Sequence, residues 1–299
     1  MVYRVLSIDG GGIRGVFALN IIKFIQDEVD KDFLKKVDCF AGTSTGGLIA
    51  TCLNIGYSPE KLLFYYKHLS GLAFRKNGKG NSKYTHDNLL KMLHTLVPKK
   101  LKFSDLKKGL IIPACSLYDD SKKRWQPKIY DTFSSLDENV GDIAMRSSSA
   151  PIYFPSYQGH IDGGVYAVNP SLLAYSRVID RDGGDNKQDE IRLLSIGNGL
   201  NPTGIQGEID WGLSDWMGDR HTLLELMTDM NMQAPHYPLM QILKDKYRRI
   251  NSVLEDQVYM DDRNKINSLM KSASLFKDRD DKTWDKDKRW VKERFLESF

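Results

Sequence analysis

An α/β fold built on a parallel sheet is predicted for this chain, and three observations predict it. Short β-branched or aliphatic runs end in glycine-rich turns that lead into apolar residues at helical spacing, first over residues 5–29 and again over 37–55. Two strand-to-helix units in succession imply parallel strands, because parallel neighbours need a long crossover, usually a helix. The chain of 299 residues, 41% hydrophobic and 27% charged, fits one large α/β domain and excludes a disordered, collagen-like or disulfide-dense protein.

The first strand is the run Val5 to Ile8, and the helix after it carries Val16, Leu19, Ile22, Ile25 and Val29 on one face. Val37 to Ala41 is the second strand; a turn rich in Gly, Ser and Thr leads from it into the apolar stretch Leu48 to Ile55, which Gly56 closes. Pro59 opens a helix through His68, and Thr85 to Val97 forms a further amphipathic helix that Pro98 stops. Between them lies a basic, glycine-containing loop, Arg75 to Lys83. Leu110 to Cys115, Lys128 to Phe133 and Ile191 to Ile196 are strand candidates. The surface loop Asp182 to Lys187 marks no domain boundary, since a strand pattern resumes at Ile191. A single domain over 1–299 is therefore expected, with a motif-bearing core at about 5–176. The part from 177 to 299 adds a strand and is otherwise mainly helical.

No apolar run reaches the roughly 18 to 20 residues that span a bilayer, so the chain is not expected to cross a membrane. Asp9 falls where a signal peptide would have its apolar centre. Cys39, Cys52 and Cys115 are odd in number and widely spaced, which supports neither a disulfide framework nor a metal site and favours a reducing cytoplasm. The formal charge of +4 is uneven: twelve basic residues stand against two acids between Lys61 and Lys108. Such a segment is either a solvated helical surface or a face that attracts anions. Peripheral contact with an anionic membrane surface is the expected use, with no nucleic acid as partner.

Three motifs carry the chemistry. Asp9-Gly10-Gly11-Gly12-Ile13-Arg14-Gly15 joins a strand to a helix and satisfies G-x-G-x-x-G, the dinucleotide fingerprint. Its physical content is broader, because side-chain-free residues at a helix start let backbone N–H groups approach any anionic oxygen. Gly42-Thr43-Ser44-Thr45-Gly46 is G-x-S-x-G at a strand-to-helix turn, the pattern of a nucleophile elbow. A dinucleotide binder would instead carry an acid at the tip of the second strand for ribose, and here the tip holds the elbow. Asp162-Gly163-Gly164 is by itself an ordinary turn. Beside an elbow, its carboxylate can act as the base a serine hydroxyl needs, provided apolar surroundings raise its proton affinity.

The order glycine cradle, elbow, Asp-Gly-Gly resembles the patatin-like phospholipase family from Val5 to about Leu173, including the run from Ala144 to Pro155. The resemblance implies a three-layer α/β/α fold with a central, mostly parallel sheet, and acyl hydrolysis by a Ser–Asp dyad without a catalytic histidine. It implies Ser44 as nucleophile, Asp162 as base, and the Gly11 and Gly12 amides as oxyanion donors. Arg14 would steady the cradle or meet a lipid phosphate. Neither metal nor cofactor is implied, and the expected substrate is a glycerolipid ester.

Two alternatives compete. An α/β-hydrolase triad would draw its histidine from His221 or His236, the two that follow Asp162. A nucleotide-binding sensor or oxidoreductase would use the glycine loop alone, and a phospholipase effector switched on by a nucleotide would combine both functions.

Overall fold

The computed structural model describes residues 1–76, 81–134, 137–218, 222–280 and 282–297. The chain opens with β1 (Tyr3–Ile8), turns through glycines into α1 (Gly15–Glu28), and after the short α2 (Phe33–Lys36) enters β2 (Cys39–Gly42) and α3 (Thr45–Asn54). Then come α4 (Pro59–Ala73) and α5 (His86–Leu96), the hairpin of β3 (Gly109–Asp119) with β4 (Arg124–Asp131), α6 (Val140–Ser147) and β5 (His160–Asp162). The short α7 (Gly164–Ala167) and α8 (Ser171–Ile179) lead to β6 (Ile191–Ile196). The remainder holds α9 (Leu213–Met217), α10 (Thr222–Gln233), α11 (His236–Leu243), β7 (Tyr247–Ile250), α12 (Ile266–Lys277) and α13 (Thr283–Trp290).

The strands lie side by side in the order β4, β3, β2, β1, β6, β7, and β5 pairs with the far half of β3. The five strands from β3 to β7 in that row run parallel; β4 and β5 are antiparallel to β3. Strand side chains alternate between two apolar layers, as a period of two requires. Leu6, Ile8, Phe40, Leu110, Ile112, Leu194 and Ile196 pack into one with α1, α3 and α12. Val5, Cys39, Ala41, Ile111 and Leu193 pack into the other with Ala174 and Val178 of α8 and Leu239 of α11. Helices thus cover both faces of a mostly parallel sheet, the arrangement such a sheet requires.

Local chemistry fixes several boundaries. Ser58 caps α4, its hydroxyl accepting the Lys61 N–H at 3.3 Å, with Pro59 in the first turn. This helix continues past His68 to Ala73. β4 begins at Arg124 rather than Lys128; exposed Arg124, Trp125 (72% exposed) and Pro127 suit an edge strand. It stops at Asp131, whose carboxylate accepts the Phe133 and Ser134 N–H groups and turns the chain.

β7 lies within the stretch read as mainly helical. Its two central residues are arginines, which hid the strand pattern, and both are matched by acids. Arg249 forms a buried pair with Asp9 at the end of β1, at 2.5 Å, while Arg248 pairs with Asp287 of α13. None of the three cysteines forms a disulfide; Cys39 and Cys52 are buried and Cys115 is half-buried. Among the described residues no helix is long and apolar enough to cross a membrane.

Candidate active site

β3 acts as a common ruler for two of the predicted site residues. Its residue Ile111 pairs with Ala41 of β2, and Ala114, three residues further along, pairs with Asp162 of β5. Asp162 therefore stands about 10 Å along β3 from the level of Ala41, one residue before β2 ends and the chain turns through Ser44. Ser44 and Asp162 line the same cavity, and the serine side chain is near enough to act on the Asp162 carboxyl.

The turn itself is tight. Ser44 has φ 54° and ψ −125°, a conformation that costs a non-glycine residue on the order of 1–3 kcal/mol and persists only when its surroundings impose it. A Cβ on Gly42 would lie 2.1 Å from the Gly46 carbonyl oxygen, and one on Gly46 would lie 2.3 Å from that of Ile8. Both flanking positions of the G-x-S-x-G motif are thus closed to side chains. The Ser44 N–H donates to the Ser147 hydroxyl at 2.9 Å, which donates to the Pro113 carbonyl of β3 at 2.7 Å.

Asp162 is 5% exposed. Its carboxyl accepts the Gly164 N–H at 2.7 Å, and its own N–H donates to the Ser149 carbonyl at 3.0 Å. Burial pushes its pKa up to about 6, against the opposing pull of the Ser44 side chain and of the hydrogen bond it accepts from Gly164.

Gly11 and Gly12 turn the chain toward this pair with φ of 149° and 58°, values that L side chains rarely adopt. The Gly10 N–H donates to the Val168 carbonyl at 2.9 Å and that of Ile13 to Met260 at 2.8 Å. The N–H groups of Gly11 and Gly12 between them donate to no acceptor among the described residues. The Asn198 side chain braces the loop from beneath, donating to the Gly10 carbonyl and accepting from Arg14 at 3.1 Å. Arg14, 3% exposed, also pairs with Asp229 at 3.3 Å. Both contacts join the Arg14 guanidinium to protein groups.

No histidine contacts Ser44 or Asp162 among the described residues. The ring of His160 is held by the Gln158 carbonyl at 2.7 Å and the Tyr130 hydroxyl at 2.8 Å. That of His236 contacts Tyr247 at 3.3 Å, and His221 lies outside the described residues.

Ser44 sits where two cavities meet. One, about 850 Å³ and partly open to solvent, is almost wholly apolar and runs between Ser44 and the inner faces of α4 and α5, including Leu62, Tyr66, Leu89 and Met92. The other lies on the Asp162 side and includes Gly11, Pro151 and Val165. The segment from Lys61 to Lys108 is thus two-faced: its apolar side chains wall the first cavity while Lys61, Lys67 and Lys91 point to solvent. Not all of its charge is free, since Lys83 pairs with Asp261 and Lys108 donates to the carbonyls of Leu34, Lys35 and Val37. Residues 77–80 of the basic loop, Lys79 among them, lie outside the described residues. Among the described residues no group of three or more His, Cys, Asp or Glu stands where it could hold a metal ion.

Sequence reasoning missed the braces. Ser147 and Ser149 fall within the run that carried the resemblance, yet nothing local to it gave them a role. Asn198, set between Gly197 and Gly199 just past β6, had a usable signal: a short polar side chain between glycines at a strand end.

Comparison with known proteins agrees with this layout. A sequence model of the family described as patatin-like phospholipase matches residues 6–175. Protein teg of Priestia megaterium is 28% identical, the match covering 91% of this chain and 89% of that protein. Patatin-like protein 1 of Arabidopsis thaliana is 27% identical over 83% of this chain and 73% of its own length. Patatin-like protein 2 of the same plant is 30% identical over 71% of this chain and 65% of its own.

Proposed function

This chain belongs to the patatin-like phospholipase family, which supports lipid acyl hydrolysis in general, and from that premise we propose that it cleaves fatty-acyl esters of glycerolipids through a Ser44–Asp162 dyad. The observation that carries this proposal is that Ser44 and a buried Asp162 line one cavity, near enough for the serine to pull the carboxyl's pKa down, where a second, apolar cavity opens onto the serine.

Ser44 attacks the ester carbonyl as Asp162 takes its proton. A carboxylate with a pKa near 6 is ionised at neutral pH and still binds a proton more tightly than an ordinary aspartate, which suits a general base. The tetrahedral oxyanion is received by the unoccupied N–H groups of Gly11 and Gly12, donors of a kind worth about 10²–10³ in rate when preorganised. The acyl chain occupies the cavity between α3, α4 and α5. The alcohol leaves with the proton from Asp162; the same carboxylate then activates water to release the fatty acid from the acyl-serine.

The basic outer faces of α4 and α5 lie over the acyl cavity and bring its mouth to an anionic membrane surface. Three free cysteines suit a reducing, cytoplasmic setting. The test is incubation with mixed phospholipids and neutral glycerides, with mass spectrometry of the products. Fatty acid and the matching lysolipid or glyceride are expected from the native protein and neither from Ser44→Ala; release by the alanine variant would overturn the assignment.

A further inference from the structure

A third cavity, about 870 Å³ and partly open to solvent, adjoins the two at Ser44 and differs from both in being about as polar as it is apolar. Met260 lines all three; Leu224 and Thr228 of α10 are shared with the cavity on the Asp162 side, and Tyr153 with the apolar one. A glycerolipid with its acyl chain between α4 and α5 and its ester at Ser44 would therefore extend its polar end toward this space.

The walls carry both signs of charge side by side. Lys83 and Arg14, the latter held by Asn198 and Asp229, supply two cations; Asp229, Asp261 and Glu225, which accepts from Gln257 at 3.2 Å, supply three carboxylates, so the fixed charge of the lining is negative. Arg14 stands 3.3 Å from Asp229 and Lys83 pairs with Asp261, while the Lys83 ammonium also lies 5.5 Å from the centre of the Tyr153 ring. A head group that is only anionic would meet three carboxylates with no charge of its own to offer them. One that carries a phosphate and an ammonium matches both kinds of wall, phosphate to the half-exposed Lys83 ammonium and its own ammonium to the carboxylates.

We propose that this cavity is a head-group subsite selecting phospholipids whose head group bears an ammonium, of the phosphoethanolamine class, over those ending in hydroxyls. The proposal rests on the acyl-hydrolase function put forward above. Leu224 and Thr228 place the subsite on the leaving-group side of Ser44, so the phosphate and ammonium depart with the alcohol.

The test compares kcat/KM on phosphatidylethanolamine and phosphatidylglycerol of identical acyl chains, each in neutral-detergent mixed micelles that remove the effect of surface charge. The native protein is expected to favour the ethanolamine lipid at least about tenfold, and Glu225→Gln to reduce that ratio at least about fivefold. Lys83→Gln is expected to lower kcat/KM on both phospholipids relative to a diacylglycerol of the same chains. Equal rates on the two lipids, or a preference untouched by Glu225→Gln, would overturn the subsite and leave the hydrolase assignment standing, provided Ser44 is still required for fatty-acid release. If neither lipid nor a soluble acyl ester is cleaved, both proposals fall together.

Discussion

Ser147 ties the backbone of Ser44 to the central sheet, its hydroxyl accepting the Ser44 N–H at 2.9 Å and donating to Pro113 of β3 at 2.7 Å. Two residues later the Ser149 carbonyl accepts the Asp162 N–H at 3.0 Å. The end of α6 thus clamps both partners of the proposed dyad, and the strained φ of Ser44 is held from outside the elbow.

Ser147→Ala is expected to leave a buried N–H and a buried carbonyl unpaired, at about 1–3 kcal/mol of stability. The larger effect should be kinetic: kcat for a soluble acyl ester falls at least about tenfold with little change in KM, because the serine loses its orientation rather than the substrate its pocket. Stopped-rate assays with folding followed by circular dichroism check this. An unchanged kcat would mean that the elbow holds its geometry unaided.

The buried pair of Arg249 and Asp9 makes a second prediction. Arg249→Met removes the partner of a carboxylate that is wholly buried and should cost about 3–5 kcal/mol, seen as a lower midpoint in urea. The double variant Asp9→Leu with Arg249→Met should recover much of that loss, since it leaves no unpaired charge. A single variant as stable as the native protein would contradict the pairing.

Much of the site was legible in the sequence because its motifs are turns. Turns advertise themselves: Gly42 and Gly46 are demanded by carbonyls 2.1–2.3 Å from where a side chain would begin, and Gly12 by a positive φ. The strands β1, β2 and β6 were legible for a similar reason, each being a short apolar run, which is a local signal. What was hidden depends on partners far along the chain. β7 reads as two arginines until Asp9 and Asp287 are seen beside them, 240 residues upstream in one case. The segment from Lys61 to Lys108 reads as charge because its apolar residues gain meaning only once α4 and α5 close over Ser44. The polar cavity gathers residues from six distant stretches, which no local pattern reveals.

Exposed lysines on that segment are expected to draw the protein to anionic surfaces, each worth about 1 kcal/mol near the membrane and acting within about a Debye length. Replacing Lys67, Lys76 and Lys91 with Gln should weaken sedimentation with anionic liposomes, steeply so at low salt, and spare hydrolysis of a soluble ester. Binding that ignores both lipid charge and salt would assign these residues to an ordinary solvated face.

Protonation of Asp162 sets the direction of the pH dependence. Its pKa near 6 means that below about pH 6 the carboxyl is protonated and unable to accept the serine proton, so kcat/KM should fall as pH falls through that value and level off above it. Because burial raises the pKa, ionising Asp162 also opposes folding: its contribution to stability is greatest below the ordinary aspartate range and declines as pH rises through about 6. His160→Ala should retain at least about a tenth of the activity and the same acid limb, since its ring is held by Tyr130 and Gln158, whereas Asp162→Asn should lose nearly all turnover. A His160 variant as inactive as the Asp162 one would sink the dyad.

The most direct test of the central claim is intact-mass spectrometry after reaction with a fluorophosphonate, which labels an activated serine. The native protein is predicted to gain a single adduct, mapped to Ser44, with Ser44→Ala unlabelled and Asp162→Asn labelled far more slowly. Labelling of Ser44→Ala at the native rate would contradict the account, because the activated nucleophile would then lie elsewhere in the chain.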